Sequence, residues 1–522
     1  MKSRAGRVAA FLVAALLWLA IAALFSWRLA GKSLDDFFIT YRYAQNLVQG
    51  NGLVFNPGER VFGTTAPGLA LLLAGGHLLT RIPIHWLGTL STGLALAGIA
   101  LLLLAEADAE AEAGGRRPEA WIGGTLLLTN TFLWACHGAE GPVVVFLLLL
   151  AARWGEDRPL LSGLIAGFAV WCRPDAGLAV GVLGLLLWRE RRRLPRRFGL
   201  AAAVVLAAGA ILALVYFGGI LPNSWRAKQA EALGSAGTAG LLFWPASLGL
   251  LRRHLGTALP WTLVLGVVGQ WPLFKWGGRP GRLLVLQAAT LALAYPLLGV
   301  NFAPWYILPI VIALLAGVAF AAGAAGRAAA AALEGRRLAP WAGALLALLL
   351  LAPALLSIGS HGLTWIRGAG QPVHFEGYRA ASLWIRRDSR PQDAIAAMEV
   401  GTLAYFSQRR VEDLQGLVTP RSIPFSIAGD PAGAFLAQPT RYMVTRPGLM
   451  VGMRKIVRRG WFQKSYQEVA LFAPEGEDWT RVYGVKAGVD PTALNPDAVR
   501  AASVQPTPLG GAPRGAAHGP SR

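Results

Sequence analysis

Long apolar runs, separated by short stretches rich in Arg, fill the first two thirds of the chain. A run of roughly 17 to 25 apolar residues is long enough to cross the hydrocarbon core as a helix. Eleven crossings are expected on that basis, at about 8–27, 86–105, 119–135, 141–154, 160–172, 176–189, 198–218, 258–274, 281–299, 304–325 and 340–358. The third to sixth are short. Two further apolar stretches, Pro67 to Leu79 and Leu241 to Leu251, are expected as interfacial or re-entrant helices, because a full crossing at either would invert the side of every later loop.

Past Ile358 the pattern changes. A polar, helix-like segment (Glu376 to Asp388) precedes short strand-like runs at Ala394 to Val400, Tyr442 to Thr445, Glu468 to Phe472 and Val482 to Val485. Residues 359–486 are therefore expected to form a small α/β domain outside the membrane. Residues 1–358 are expected to form an all-α polytopic membrane domain whose first outer loop spans 31–85. The remainder, 487–522, is rich in Pro, Gly and Ala and reads as a disordered tail.

Orientation follows from the cations, since Lys and Arg near helix ends are retained on the cytoplasmic side. Residues 189–197 hold six Arg in nine positions, the strongest inside anchor. Counting outward from it gives 19 cations inside and ten in the outer loops between spans. The N-terminus is thus expected inside and the C-terminus outside, with the first span retained as an anchor.

Composition agrees: 54% of residues are hydrophobic and 15% charged. A soluble enzyme is excluded as a class. The net charge of +21 sits mostly in loops that topology explains, and no basic stripe interleaved with aromatics suggests a nucleic-acid partner. The two cysteines, Cys136 and Cys172, make no disulfide framework, though one bridge between them is open. No zinc spacing, Walker loop or GxGxxG is present.

The residues with chemical potential fall in the outer loops. Asp35 and Asp36 open the run Asp35-Asp36-Phe37-Phe38-Ile39-Thr40-Tyr41-Arg42-Tyr43; if it is a helix, Asp35 and Arg42 share a face, and an Asp beside an Arg stays ionised. Residues 50–60 follow, turn-formers around a short apolar strand, where Glu59 and Arg60 pair with each other or with the acidic helix. Glu140 follows His137-Gly138-Ala139, Asp175 follows Arg173-Pro174, and Lys228 lies shortly after Pro222-Asn223-Ser224. Each also has a plain structural reading, as helix ends, dipole-favoured acids or snorkelling cations. Acids and cations recurring on one side suit an anionic lipid head group and a hydroxyl nucleophile. A transporter coupled through these acids is the rival class, and it predicts repeated halves that the sequence does not display. A scaffold with a degenerate site is the third reading.

The stretch Asp35 to Pro67 resembles the first outer loop of GT-C-fold glycosyltransferases, particularly the branch containing the mycobacterial terminal arabinofuranosyltransferases. Gly138-Ala139-Glu140, Arg173-Pro174-Asp175, Pro222-Asn223-Ser224 with Lys228, Glu399-Val400-Gly401 and Asp413 to Leu417 follow in the same order. Phe62, Ala66 and Gly141 depart from the pattern. The resemblance implies transfer of a sugar from a polyprenyl-phosphate donor to a glycan, lipid or protein acceptor, by a single inverting displacement at the outer face of the bacterial cytoplasmic membrane. In that picture Asp35 is the preferred general base and Asp36 orients the helix or shares a divalent cation, Mg2+ or Mn2+. Arg42, Arg173 and Lys228 are candidates to hold the leaving phosphate, and Glu140, Tyr41 and Asn223 to contact substrate.

Overall fold

The computed structural model describes residues 4–110, 118–234, 239–334, 336, 339–366, 374–472, 479–491 and 494. Helices stand in all eleven expected windows. Five apolar runs, Val8–Leu29, Ile84–Ala107, Arg196–Phe217, Gly240–Trp276 and Pro304–Ala332, are long and apolar enough to cross a membrane by length and composition. Leu12, Leu16, Leu200, Ile211 and Val215 point outward from two of them, the apolar surface a bilayer would cover. The helix Leu308–Ala332 is instead buried on nearly every side and forms the centre of the bundle, as expected of a helix that is apolar all round.

Local chemistry sets the breaks. The third window is two helices, Pro118–Thr129 and Thr131–Ala135, because the Asn130 side chain accepts from the amides of Phe132 and Leu133 at 3.1 and 3.2 Å and restarts the helix. The stretch from Pro67 is a helix, Pro67–Thr80. The stretch from Leu241 is not a separate element: Ala239–Leu255 continues through a 3-10 turn, Gly256–Ala258, into Leu259–Val268. Gly163, in the helix Pro159–Cys172, presses on the helix Arg196–Phe217, where a Cβ would stand 2.2 Å from the Phe198 carbonyl. That small-residue seam therefore packs helices within the chain. Cys136 and Cys172 are both buried free thiols, so the bridge left open by the sequence is not formed.

After the helix His374–Asp388 the chain forms a five-stranded sheet: β1 (Ala394–Ala397), β2 (Arg410–Asp413), β3 (Tyr442–Thr445), β4 (Tyr466–Phe472) and β5 (Thr480–Val485). The order is β2-β1-β3-β5-β4, with β1 parallel to β2 and β3, and β5 antiparallel to β3 and β4. Alternation divides its two faces. Ile395, Ala397, Val444 and Val482 join the hydrophobic core of the helical bundle. Ala396, Met443 and Tyr483 form a second core with Phe435, Met453, Ile456 and Phe462. The α/β unit is thus fused to the bundle by one face of its sheet. Apart from 487–491 and Leu494, the expected tail lies outside the described residues.

Candidate active site

The helix Asp35–Val48 lies at the junction of bundle and sheet. Two acids in its first turn suit the positive end of the helix dipole. Nine of its next eleven residues, Phe37 to Ala44 and Asn46, are buried, so the helix is covered on all sides although it is not strongly apolar. Phe38 packs against Phe375, Tyr405 and Phe406 of the α/β unit, and Phe37 meets Trp305 edge-on at 5.4 Å.

The polar side chains of this helix are largely spent on building the junction. Arg42 does not approach Asp35. It is buried and donates to the Phe55 carbonyl (3.3 Å) and to Gln45 (2.7 Å). Asn46 donates to the carbonyls of Val54 and Phe55, both at 2.8 Å. These side chains take the acceptors that a strand partner would have used, so the expected strand near 53–55 is an ordered loop instead. Tyr41 is fully buried, its hydroxyl donating to the Gly138 carbonyl at 3.2 Å, which ties the helix to the turn before Glu140.

Asp35 turns toward the α/β unit. Its two carboxylate oxygens accept from the amides of Gly401 (2.9 Å) and Thr402 (2.8 Å), at the start of the helix Gly401–Ser407. Position 401 requires Gly, because a Cβ there would stand 2.0 Å from the Asp35 carbonyl oxygen. Burial pushes the Asp35 carboxyl up to about 7, Glu399 adds to the rise, and the two amides oppose it. The ionised acid expected beside Arg42 is therefore corrected: its neighbours are backbone amides and another acid.

Asp36 stands differently. Among the described residues its carboxylate has no hydrogen-bond partner, although it is half-buried just as Asp35 is. Burial raises its pKa, Lys228 opposes the rise, and Glu399 adds to it. Glu399 comes from the α/β unit and is gripped by Arg446, whose Nε donates at 2.8 Å. Lys228, on the helix Asn223–Gly234, donates to the Tyr306 hydroxyl at 3.4 Å and lies 5.6 Å from the ring centres of both Trp305 and Tyr306. Burial alone would lower the Lys228 pKa, but Tyr306, Asp36 and Glu140 together raise it, so it is a cation.

A second cluster supports the first. Arg173 is buried and donates through Nε to Asp175 (2.8 Å), through Nη1 to Glu140 (3.1 Å) and the Trp305 carbonyl (3.4 Å), and through Nη2 to the Tyr295 hydroxyl (3.1 Å). The Tyr295 hydroxyl in turn donates to Asp175. All three guanidinium nitrogens are thus engaged, fixing Glu140 and the Trp305–Tyr306 turn. Asn223 donates to the carbonyls of Gly416 (2.7 Å) and Leu417 (2.9 Å) and so tethers the Lys228 helix to the α/β unit. Asn56 pairs with β2 as a strand would, donating to the Val411 carbonyl at 3.0 Å and accepting from its amide at 3.1 Å. Glu59 reaches Arg410 of that strand, and Arg60 lies over the Tyr216 ring at 4.9 Å, so the two do not pair with each other.

Of the residues expected from sequence, Asp36, Lys228, Glu140 and Arg173 converge around Trp305 and Tyr306, while Asp35, Tyr41, Arg42 and Asn223 hold the surrounding elements together. Sequence reasoning missed Tyr295, Trp305 and Tyr306. The run Pro304-Trp305-Tyr306 at an outer helix start was the available signal. A hard divalent cation takes about six or more oxygens, at roughly 2.0–2.6 Å. Both Asp35 oxygens accept amides, a Lys is the charge partner of Asp36, and among the described residues no group of three His, Cys, Asp or Glu could hold an ion. The residues do not fit such a cation.

Residues 367–483 match a family described as a domain of unknown function, DUF8728. A terminal β-(1→2)-arabinofuranosyltransferase of Mycobacterium tuberculosis is 30% identical over 257 residues, which cover 44% of this chain and 40% of that protein. The chain thus matches less than half the length of this curated relative. ArnT from Cupriavidus metallidurans, in a crystal structure bound to undecaprenyl phosphate, superposes with a TM-score of 0.51 at 14% identity, covering 92% of this chain and 98% of that one. An Archaeoglobus fulgidus oligosaccharyltransferase tethered with an acceptor peptide gives 0.52 at 12% identity, covering 93% and 74%. The fold is GT-C. The chain is accordingly a multi-pass membrane protein, and the acid-bearing helix, Lys228 and the Trp305–Tyr306 turn gather at the one end of the GT-C bundle where the α/β unit is docked.

Proposed function

We propose that this chain is a glycosyltransferase that moves a sugar from a polyprenyl-phosphate donor to an acceptor hydroxyl at the outer face of the bacterial cytoplasmic membrane, in cell-envelope glycan assembly. The observation that carries the reading is the half-buried Asp36, its carboxylate without a hydrogen-bond partner among the described residues, within electrostatic reach of a Lys228 ammonium that lies beside two aromatic rings. A proton acceptor and a phosphate-sized cation site are the two groups that such a transfer needs.

In the mechanism proposed, the acceptor hydroxyl gives its proton to Asp36 while its oxygen attacks the anomeric carbon. The bond from that carbon to the phosphate oxygen breaks with inversion, and its electron pair stays on the phosphate. Lys228 stabilises the charge that develops there, and Trp305 and Tyr306 wall the sugar or the lipid head. Glu140, fixed by Arg173, contacts sugar or acceptor. Asp35, preferred as base from the sequence, is reassigned as the residue that positions the α/β unit, because each of its oxygens already accepts a backbone amide of that unit. Arg42, Tyr41 and Asn223 keep the helix, the Glu140 turn and the Lys228 helix in register.

The test is turnover by purified protein in lipid, offered a panel of polyprenyl-phosphate pentoses and hexoses with envelope extract as acceptor. One donor is expected to be consumed with release of polyprenyl phosphate. A folded protein that consumes none of them refutes the transferase.

A further inference from the structure

The sheet face that turns away from the bundle carries the helix Met450–Val457 and, after it, the short helix Gly460–Ser465. Met453, Ile456 and Phe462 are buried in the second core. The outer side bears Arg454, Lys455, Arg458, Arg459 and Lys464, all exposed, and no acid occurs between Met450 and Lys464. Among the described residues none of the five takes part in an ion pair. Lys486 joins the ridge, its ammonium donating to the Gln463 carbonyl at 2.8 Å.

This arrangement is costly by itself. Positions 454 and 458 stack one turn apart, and like charges so placed repel, while Arg459 lies past the helix end with its Nε donating to the Lys455 carbonyl at 3.3 Å. Arg454 and Lys455 stand in the last turn, where the negative end of the helix dipole favours cations, but the dipole does not remove the repulsion between the charges themselves. Lys455 donates to the Gly429 carbonyl at 2.6 Å, but a row of cations without acidic partners is stabilised by a molecule carrying repeated carboxylate or phosphate groups, which the Arg fork matches in shape. The Cβ atoms of positions 454 and 458 lie roughly 5–6 Å apart, close to the length of one sugar unit in an extended chain. The ridge lies on the sheet face opposite to the one that joins the bundle.

We propose that this ridge binds an anionic polysaccharide, giving the DUF8728 region a role as a tether for an acidic glycan. The proposal is independent of the transferase reading, since binding is measured without turnover. The probe is polygalacturonate, titrated against the full-length protein in zwitterionic nanodiscs, with neutral dextran and phosphatidylglycerol vesicles as the other arms. Each exposed charge contact is worth a factor of about one and a half to five, so the triple variant Arg454→Gln/Arg458→Gln/Arg459→Gln is expected to bind about tenfold more weakly. Arg192→Gln/Arg193→Gln, on a different loop, should bind as wild type. Equal binding by the triple variant, equal binding of dextran, or ridge-dependent binding of the vesicles in place of polygalacturonate overturns the proposal. Should the triple variant unfold, as judged by its melting curve, Arg458→Gln alone serves, with a loss of about twofold expected and unchanged affinity as the contrary result.

Discussion

Replacing Asp36 by Asn keeps the side chain's shape and removes its ability to take a proton. Asp36 has no hydrogen-bond partner among the described residues, so Asp36→Asn breaks no contact, and the melting temperature should hold. Turnover should fall by about 10²- to 10⁴-fold, the usual contribution of a general base. Asp35→Asn acts elsewhere. One amide that now donates to a carboxylate oxygen would meet an NH2 group, and a buried donor left without an acceptor costs about 1–3 kcal/mol. The effect should appear as faster hydrogen exchange at Gly401 and Thr402.

The two acids also separate by pH. The Asp35 carboxyl is raised from 3.8 to about 7, so the stability it contributes is complete below about 4 and is lost as pH rises through about 7. Asp35→Asn should flatten the fall in stability across that window, whereas Asp36→Asn should leave the Asp35 part of it in place. The assay pairs turnover against pH with exchange mass spectrometry. Wild-type turnover by Asp36→Asn would refute the assignment. So would a base-like loss in Asp35→Asn with residues 401–402 still protected, which would return the base to Asp35.

Lys228→Gln removes the cation that lowers the Asp36 pKa; the acid limb of the pH–rate profile should move to higher pH and the donor KM should rise, an unmoved limb being the contrary result. Asn56→Ala strips the edge strand β2 of two hydrogen bonds and should cost roughly 1–3 kcal/mol in chemical denaturation, with an unchanged midpoint counting against the junction described.

What the sequence disclosed depended on the range of the interaction. The crossing helices were legible because each is a local apolar run, and β3 could be read residue for residue from Tyr442 to Thr445. β2 was missed: Arg-Val-Glu-Asp has one apolar side chain, and its stability comes from pairing with β1 and from Asn56. Asp35 and Arg42 were placed on one helix face correctly, but shared periodicity does not bring side chains together when the helix is buried all round and each finds a nearer partner. Adjacent carboxylates cannot be told apart by residue type. Only the amides of Gly401 and Thr402, which belong to a remote segment, distinguish Asp35 from Asp36.

Those amides lie 366 and 367 positions from Asp35, and the Asn56 pairing spans 355. Closing such long loops costs little more free energy than closing shorter ones, but contacts so distant form late. During synthesis the acid-bearing helix is made among the first residues and waits for the sheet made near the end. A nascent chain that stops short of residue 399 therefore carries both acids but neither Glu399 nor the amides that hold Asp35. Completion of the chain is in effect the step that fixes the Asp35 carboxylate and brings Glu399 to the acid-bearing helix.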